Sequence, residues 1–124
     1  MLNTVSAPLL LCIGACLGAL SRWQLTLWFN HIESISALGI LLANWLGCFM
    51  IGICLGLSLN DGTKLMLITG FLGSFTTFSS FTAETVEKLM AQKYFDAISV
   101  LCLHLLGGLL LTFLGLLLVR LLRP

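Results

Sequence analysis

Gly70-Phe-Leu-Gly73-Ser74-Phe75-Thr76-Thr77-Phe78-Ser79-Ser80-Phe81-Thr82-Ala83-Glu84 sits inside a long apolar stretch, yet it does not read as a lipid-facing helix. Two glycines precede six Ser/Thr residues interleaved with three phenylalanines. Glycine and β-branched threonine weaken a helix, so the stretch predicts a break near residues 73–77. Within a bilayer a break survives only where protein or a polar cavity satisfies the freed backbone groups. Freed carbonyls suit a cation and half-helix N-termini suit an anion, so the break predicts an ion site at membrane depth. Phe78 and Phe81, three residues apart, share a helix face, and Thr77, Ser80 and Glu84 continue as a polar strip. The edge of a phenylalanine ring carries positive partial charge. With hydroxyl and amide donors, such edges hold a small dehydrated anion without a full charge to trap it, a compromise that conduction requires. The alternative is a Ser/Thr-rich packing helix with aromatic filler.

The rest of the chain supplies the setting. Of 124 residues, 59% are hydrophobic and 9% charged, with a mean hydropathy of +1.09. Soluble domains carry about 25% charged residues, so this is an integral membrane protein. Apolar runs long enough to cross a bilayer cover residues 7–29, 37–59, 64–90 and 97–122, which predicts one all-α, four-span membrane domain over 1–124. A charged leader is missing and the first run is too long for a signal peptide, so the protein is expected as a multi-pass protein of the inner (plasma) membrane. The links 30–36, 60–63 and 91–96 are short, so neighbouring spans run antiparallel. Trp23, Trp28 and Tyr94 lie near span ends, as an aromatic belt requires.

Charge is informative through its placement. Six Lys+Arg against five Asp+Glu give a net charge of +1, which excludes a nucleic-acid surface. Lys64, Arg120 and Arg123 fall on one side of the membrane and Arg22, Lys88 and Lys93 on the other. Orientation follows a bias in positive charge, and here there is none. One reading is that the N-terminal amine or differences in depth settle a single orientation; the other, which the balance favours, is dual insertion and an antiparallel homodimer surrounded by membrane lipid. Gly14/Gly18 and Gly52/Gly56 are GxxxG pairs that bring helices close, either within the four-helix unit or across a dimer seam.

Cys12, Cys16, Cys48, Cys54 and Cys102 all lie within spans at no metal-ligand spacing, and read as small apolar residues. His104, in mid-span, is either a functional group or a neutral imidazole hydrogen-bonded to another helix; His31 lies in a loop. Arg22 either snorkels to the headgroups or lends positive potential to a vestibule. No acid occupies the centre of spans one, two or four, whereas proton-coupled transporters need such a relay. That argues against a small multidrug-resistance-type transporter, which resembles this chain in size but is built around a first-span glutamate. A helper subunit would not need the polar, aromatic third span. No Ser-His-Asp set, phosphate loop or HExxH is present, so an enzyme is not expected.

The block Gly70-Phe71-x-Gly73-x-x-Thr76-Thr77-Phe78-Ser79-x-Phe81 resembles the signature of the Fluc (CrcB-type) fluoride channels. Gly14-Ala15-x-x-Gly18-Ala19-x-x-Arg22-Trp23 and Gly39-x-Leu41-x-x-Asn44-x-x-Gly47-x-Phe49 agree with it in order. The resemblance implies an antiparallel dual-topology dimer with two fluoride pores. It implies that Phe78 and Phe81 line the pores, that Asn44 lies along the pathway, and that Glu84 belongs to its polar track. It further implies a structural sodium ion at the dimer centre, held by the carbonyls of Gly73 and Thr76, with Arg22 in a vestibule or structural role. Ile40 and Cys48 depart from the polar residues usual at their positions, and Val100 and His104 stand where the fourth span is usually polar.

Overall fold

The computed structural model describes residues 6–29, 31–32 and 36–123. Most of the first link expected over 30–36 lies outside the described residues. Four helices are long and apolar enough to span a membrane, Ser6–Phe29, Leu38–Gly56, Asp61–Met90 and Tyr94–Leu122, and the described residues form no strand. The protein is an all-helical, multi-pass membrane protein.

α1 (Ser6–Phe29), α2 (Leu38–Gly56) and the last helix are continuous, whereas the third span is assembled from pieces. It opens with the single turn α3 (Asp61–Thr63), where the Asn60 side chain accepts the Thr63 N–H at 2.9 Å. Capping of this kind satisfies one of the orphan donors of a first turn. A π-helical segment, Lys64–Leu72, and the short turn α4 (Gly73–Phe75) follow. Thr76 (φ −86°, ψ 155°) and Thr77 (φ −146°, ψ 117°) are extended, and α5 (Phe78–Met90) begins after them. Thr77 caps α5, its Oγ1 accepting the Ser80 N–H at 3.2 Å.

Between α5 and α6 (Tyr94–Leu122) the chain reverses in three residues. Lys93 N–H donates to Lys88 O at 2.9 Å and Gln92 N–H to Leu89 O at 3.0 Å. This is a Schellman end, which asks for a left-handed residue after the cap, and Gln92 supplies it at φ 59°. A left-handed non-glycine residue costs about 1 kcal/mol. Gln92→Gly is therefore expected to raise stability by up to about 1 kcal/mol, read as a higher unfolding midpoint of the purified protein.

Because lipid tails are as apolar as leucine, helices in a membrane associate through close packing rather than through hydrophobic drive. Glycine sets where that packing occurs. A Cβ at Gly14 would collide with the Met66 carbonyl oxygen and one at Gly18 with that of Phe71, so α1 rides directly on the π-helical segment. A Cβ at Gly52 would collide with the Thr112 carbonyl oxygen, and one at Gly56 would come within 2.7 Å of Val119 Cβ, so α2 rides on α6. Both GxxxG pairs are thus used inside the four-helix unit. Leu72 and Val100 are fully buried between the helices. Leu9, Leu17 and Leu20 of α1 and Leu106, Leu109, Leu110 and Phe113 of α6 remain exposed on the outside. Of the cysteines, Cys54 is buried, while Cys12, Cys16 and Cys102 face outward.

Candidate functional site

A groove of about 300 Å³ runs between α2, α6 and the start of α5. Its α2 wall is Asn44, Cys48 and Ile51, at the four- and three-residue steps of one helix face. Its α6 wall is His104, Leu105, Gly108, Leu109 and Thr112. The third span contributes Thr76, Thr77, Phe78 and Phe81. A larger groove of about 540 Å³ lies beside Trp23, Trp28, Leu46 and Phe75, with Ser21 and Gln24 among otherwise aromatic and aliphatic side chains.

Asn44, which is 8% exposed, clasps the extended residues. Its Oδ1 accepts the Thr77 N–H at 2.7 Å and its Nδ2 donates to the Thr77 carbonyl at 3.0 Å. A second Nδ2 contact, also 3.0 Å, goes to His104 Nδ1. The amide therefore spends both hydrogens and its oxygen on protein partners. Thr76 Oγ1 donates to Leu72 O at 2.9 Å and Thr112 Oγ1 to Cys48 O at 3.1 Å. With these polar hydrogens engaged, the phenylalanines supply much of the remaining partial positive charge. Phe78, 70% exposed, meets the buried Phe81 edge to face at 4.8 Å and 77°. Phe81 stacks on the His104 ring at 4.6 Å and 11°.

The clasp has a backbone consequence. A helix running through residues 73–80 would bond Thr77 N–H to Gly73 O and Ser80 N–H to Thr76 O. Those two donors go instead to Asn44 Oδ1 and Thr77 Oγ1. The carbonyls of Gly73 and Thr76 thus lose their helical partners, and Gly73 lies on the exposed surface. Arg22 supports the same stretch from α1, its Nε donating to Ser74 O at 3.1 Å. The guanidinium turns inward to a helix C-terminus, where a cation is favoured.

Ser80 and Glu84 do not line the groove. Ser80 Oγ pairs with Thr77 Oγ1 at 2.9 Å. Glu84 reaches the start of α2, accepting Ala37 N–H at 2.8 Å and the Ser36 hydroxyl at 3.2 Å, with Lys88 at 3.8 Å. A carboxylate there complements the positive end of the helix dipole. Ser36 Oγ in turn lies 3.4 Å from His104 Nε2, so Glu84 communicates with the groove through two side chains. Val100 is wholly buried and takes no part in the lining. The partnership of His104 with Asn44 had a signal in the sequence. Each is the strongly polar group at the middle of an otherwise apolar helix, and such groups must be satisfied by one another when water is absent.

Four membrane-spanning helices, with amide, hydroxyl, imidazole and aromatic groups along a groove between α2, α5 and α6, define an integral membrane protein with polar groups at membrane depth. Residues 9–116 match the model of the CrcB-like protein family, described as Camphor Resistance (CrcB), and the chain belongs to that family. It is 51% identical over 112 residues to the "Fluoride-specific ion channel FluC" of Haemophilus ducreyi, covering 90% of each chain. It is 47% identical over 116 residues to the protein of the same name from Haemophilus influenzae (strain PittEE), covering 90% of this chain and 91% of the relative. The Albidiferax ferrireducens protein of that name is 49% identical over 112 residues, covering 86% and 85%.

Proposed function

We propose that this protein is a fluoride channel of the inner membrane, lowering cytoplasmic fluoride by passive export. Hydrogen fluoride enters cells as a neutral molecule and ionises inside, and the anion then needs a path out. The relatives named as fluoride-specific channels support the substrate, and the groove's aromatic pair is the observation that carries the mechanism. Phe78 and Phe81 offer ring edges beside hydroxyls whose hydrogens are already engaged. An anion there is held by partial charges alone, weakly enough to leave again. No chemical step is involved, so the protein acts as a channel and not as an enzyme. The transporter alternative draws no support from relatives named as channels, and the first span contains no acid to couple protons.

The functional unit we propose is an antiparallel, dual-topology homodimer of this single four-span domain, for which the even division of basic residues is the support. The third span acts in it as a broken helix. The carbonyls of Gly73 and Thr76, deprived of helical donors, are suited to a sodium ion between the two copies. Such an ion supplies fixed positive charge and no redox chemistry. Asn44, Thr77 and Ser80 shape the path by holding its backbone, Glu84 ties its end to α2, and Arg22 braces it.

Purified protein in liposomes, with fluoride release followed by a selective electrode, is expected to exceed empty liposomes clearly; equality would remove the channel function. Phe78→Ile and Phe81→Ile are each expected to cut flux by about tenfold while the dimer persists on gel filtration. Undiminished flux in both variants would show that the ring edges do not hold the anion.

A further inference from the structure

His104 is the one strongly polar groove residue that the pathway above leaves without a task. Its environment fixes its chemistry. The orientation of the Asn44 amide is set by the Thr77 backbone, because only Oδ1 can accept the Thr77 N–H and only Nδ2 can donate to the Thr77 carbonyl. The group facing His104 Nδ1 at 3.0 Å is therefore an N–H donor, and Nδ1 must be a bare acceptor. In a neutral imidazole the proton then resides on Nε2, pointing at Ser36 Oγ. The Ser36 hydroxyl donates to Glu84 Oε2, and a hydroxyl oxygen can accept from Nε2–H at the same time. Every hydrogen in the series has one direction, from Asn44 to His104, from His104 to Ser36, from Ser36 to Glu84. An imidazolium would break it, placing two N–H donors face to face across 3.0 Å. One face of the ring meanwhile lies against Phe81.

We propose that His104 is a positioning residue for fluoride conduction, working as a neutral Nε2–H tautomer. On one edge it locks the Asn44 amide that clasps Thr77. On its face it fixes the Phe81 ring. On the other edge it ties both to the contact just before α2 between Ser36 and Glu84, which are 48 residues apart in sequence. Neither of its nitrogens offers a proton to an anion in the groove, since one has none and the other is spent on Ser36. This assignment of a role rests on the channel function proposed above, while the tautomer itself does not.

Two measurements decide it. The full-length protein carrying His31→Gln has a single histidine, and 15N NMR of selectively labelled protein at neutral pH is expected to show an unprotonated Nδ1 and a protonated Nε2. An Nδ1–H tautomer or an imidazolium would overturn the proposal. In the liposome assay, His104→Phe keeps a flat ring against Phe81 but removes the acceptor, leaving a buried Asn44 N–H unpaired, and is expected to lower flux by about tenfold. His104→Asn returns an acceptor close to the Nδ1 position and is expected to recover most of that loss. Wild-type flux in the Phe variant, or an equal loss in both variants, would overturn the positioning role. A wild-type protein without flux would instead remove the channel function, leaving the NMR result to stand on its own.

Discussion

Replacing Gly18 by leucine is expected to cost about 3 kcal/mol of stability and to abolish fluoride flux with it. A Cβ at Gly18 would collide with the Phe71 carbonyl oxygen and sit 2.9 Å from its carbon and 3.0 Å from Phe75 N. All three are backbone atoms, so no side chain can swing away to make room. α1 would have to lift off the π-helical segment, and the contact that lipid cannot replace by hydrophobic drive would be lost. Arg22 lies one turn further along the same helix, so its bond to Ser74 O would go as well. The damage would thus reach the extended residues 76–77 from a position outside the groove. Gly18→Ala already meets the same oxygen and is expected to fall between wild type and leucine. Unfolding midpoints of the purified variants would show the order; a leucine variant as stable as wild type would mean that α1 does not pack so closely.

The parts of this architecture that were legible in the sequence are those whose cause is local. Hydrocarbon demands long apolar runs, so four spans could be counted directly. The Ser/Thr/Phe block announced itself because no lipid-facing helix needs six hydroxyls, and its Thr76-Thr77 pair is where the backbone is extended. What remained hidden depends on partners distant in the chain. Nothing near Glu84 says that it will cap a helix beginning at Leu38. The GxxxG pairs announced close packing without saying which helix they would meet. The Schellman end after α5 was obscured because Gln92, not glycine, takes the left-handed position. The π-helical register of Lys64–Leu72 has no compositional mark at all. Asn44 and His104 stood out singly as polar groups in apolar helices, but their pairing is a tertiary fact, made necessary only because neither can turn to water.

Asn44→Ala is expected to lower fluoride flux by about a hundredfold, chiefly through the loss of its two hydrogen bonds to the Thr77 backbone, which each contribute about 1–1.5 kcal/mol. The reason lies in what Thr77 would do next. With Oδ1 gone, the Thr77 N–H has the Gly73 carbonyl as its natural helical acceptor, four residues back. The extended pair is then free to relax toward continuous helix, which would turn Phe78 away from its present place and occupy the carbonyl that the clasp had freed. Asn44→Asp separates the two halves of the clasp. Its carboxylate can still accept the Thr77 N–H, but it opposes the Thr77 carbonyl and His104 Nδ1 with a second acceptor and sets a negative charge beside the groove. Flux in the aspartate variant is therefore expected to be as low as in the alanine variant. Because most helix packing is remote from Asn44, both proteins should remain folded and elute as wild type on gel filtration. Flux near wild type in the alanine variant would show that Thr76 and Thr77 hold their extended conformation without the asparagine, and that the fold, not this one amide, keeps the third span open.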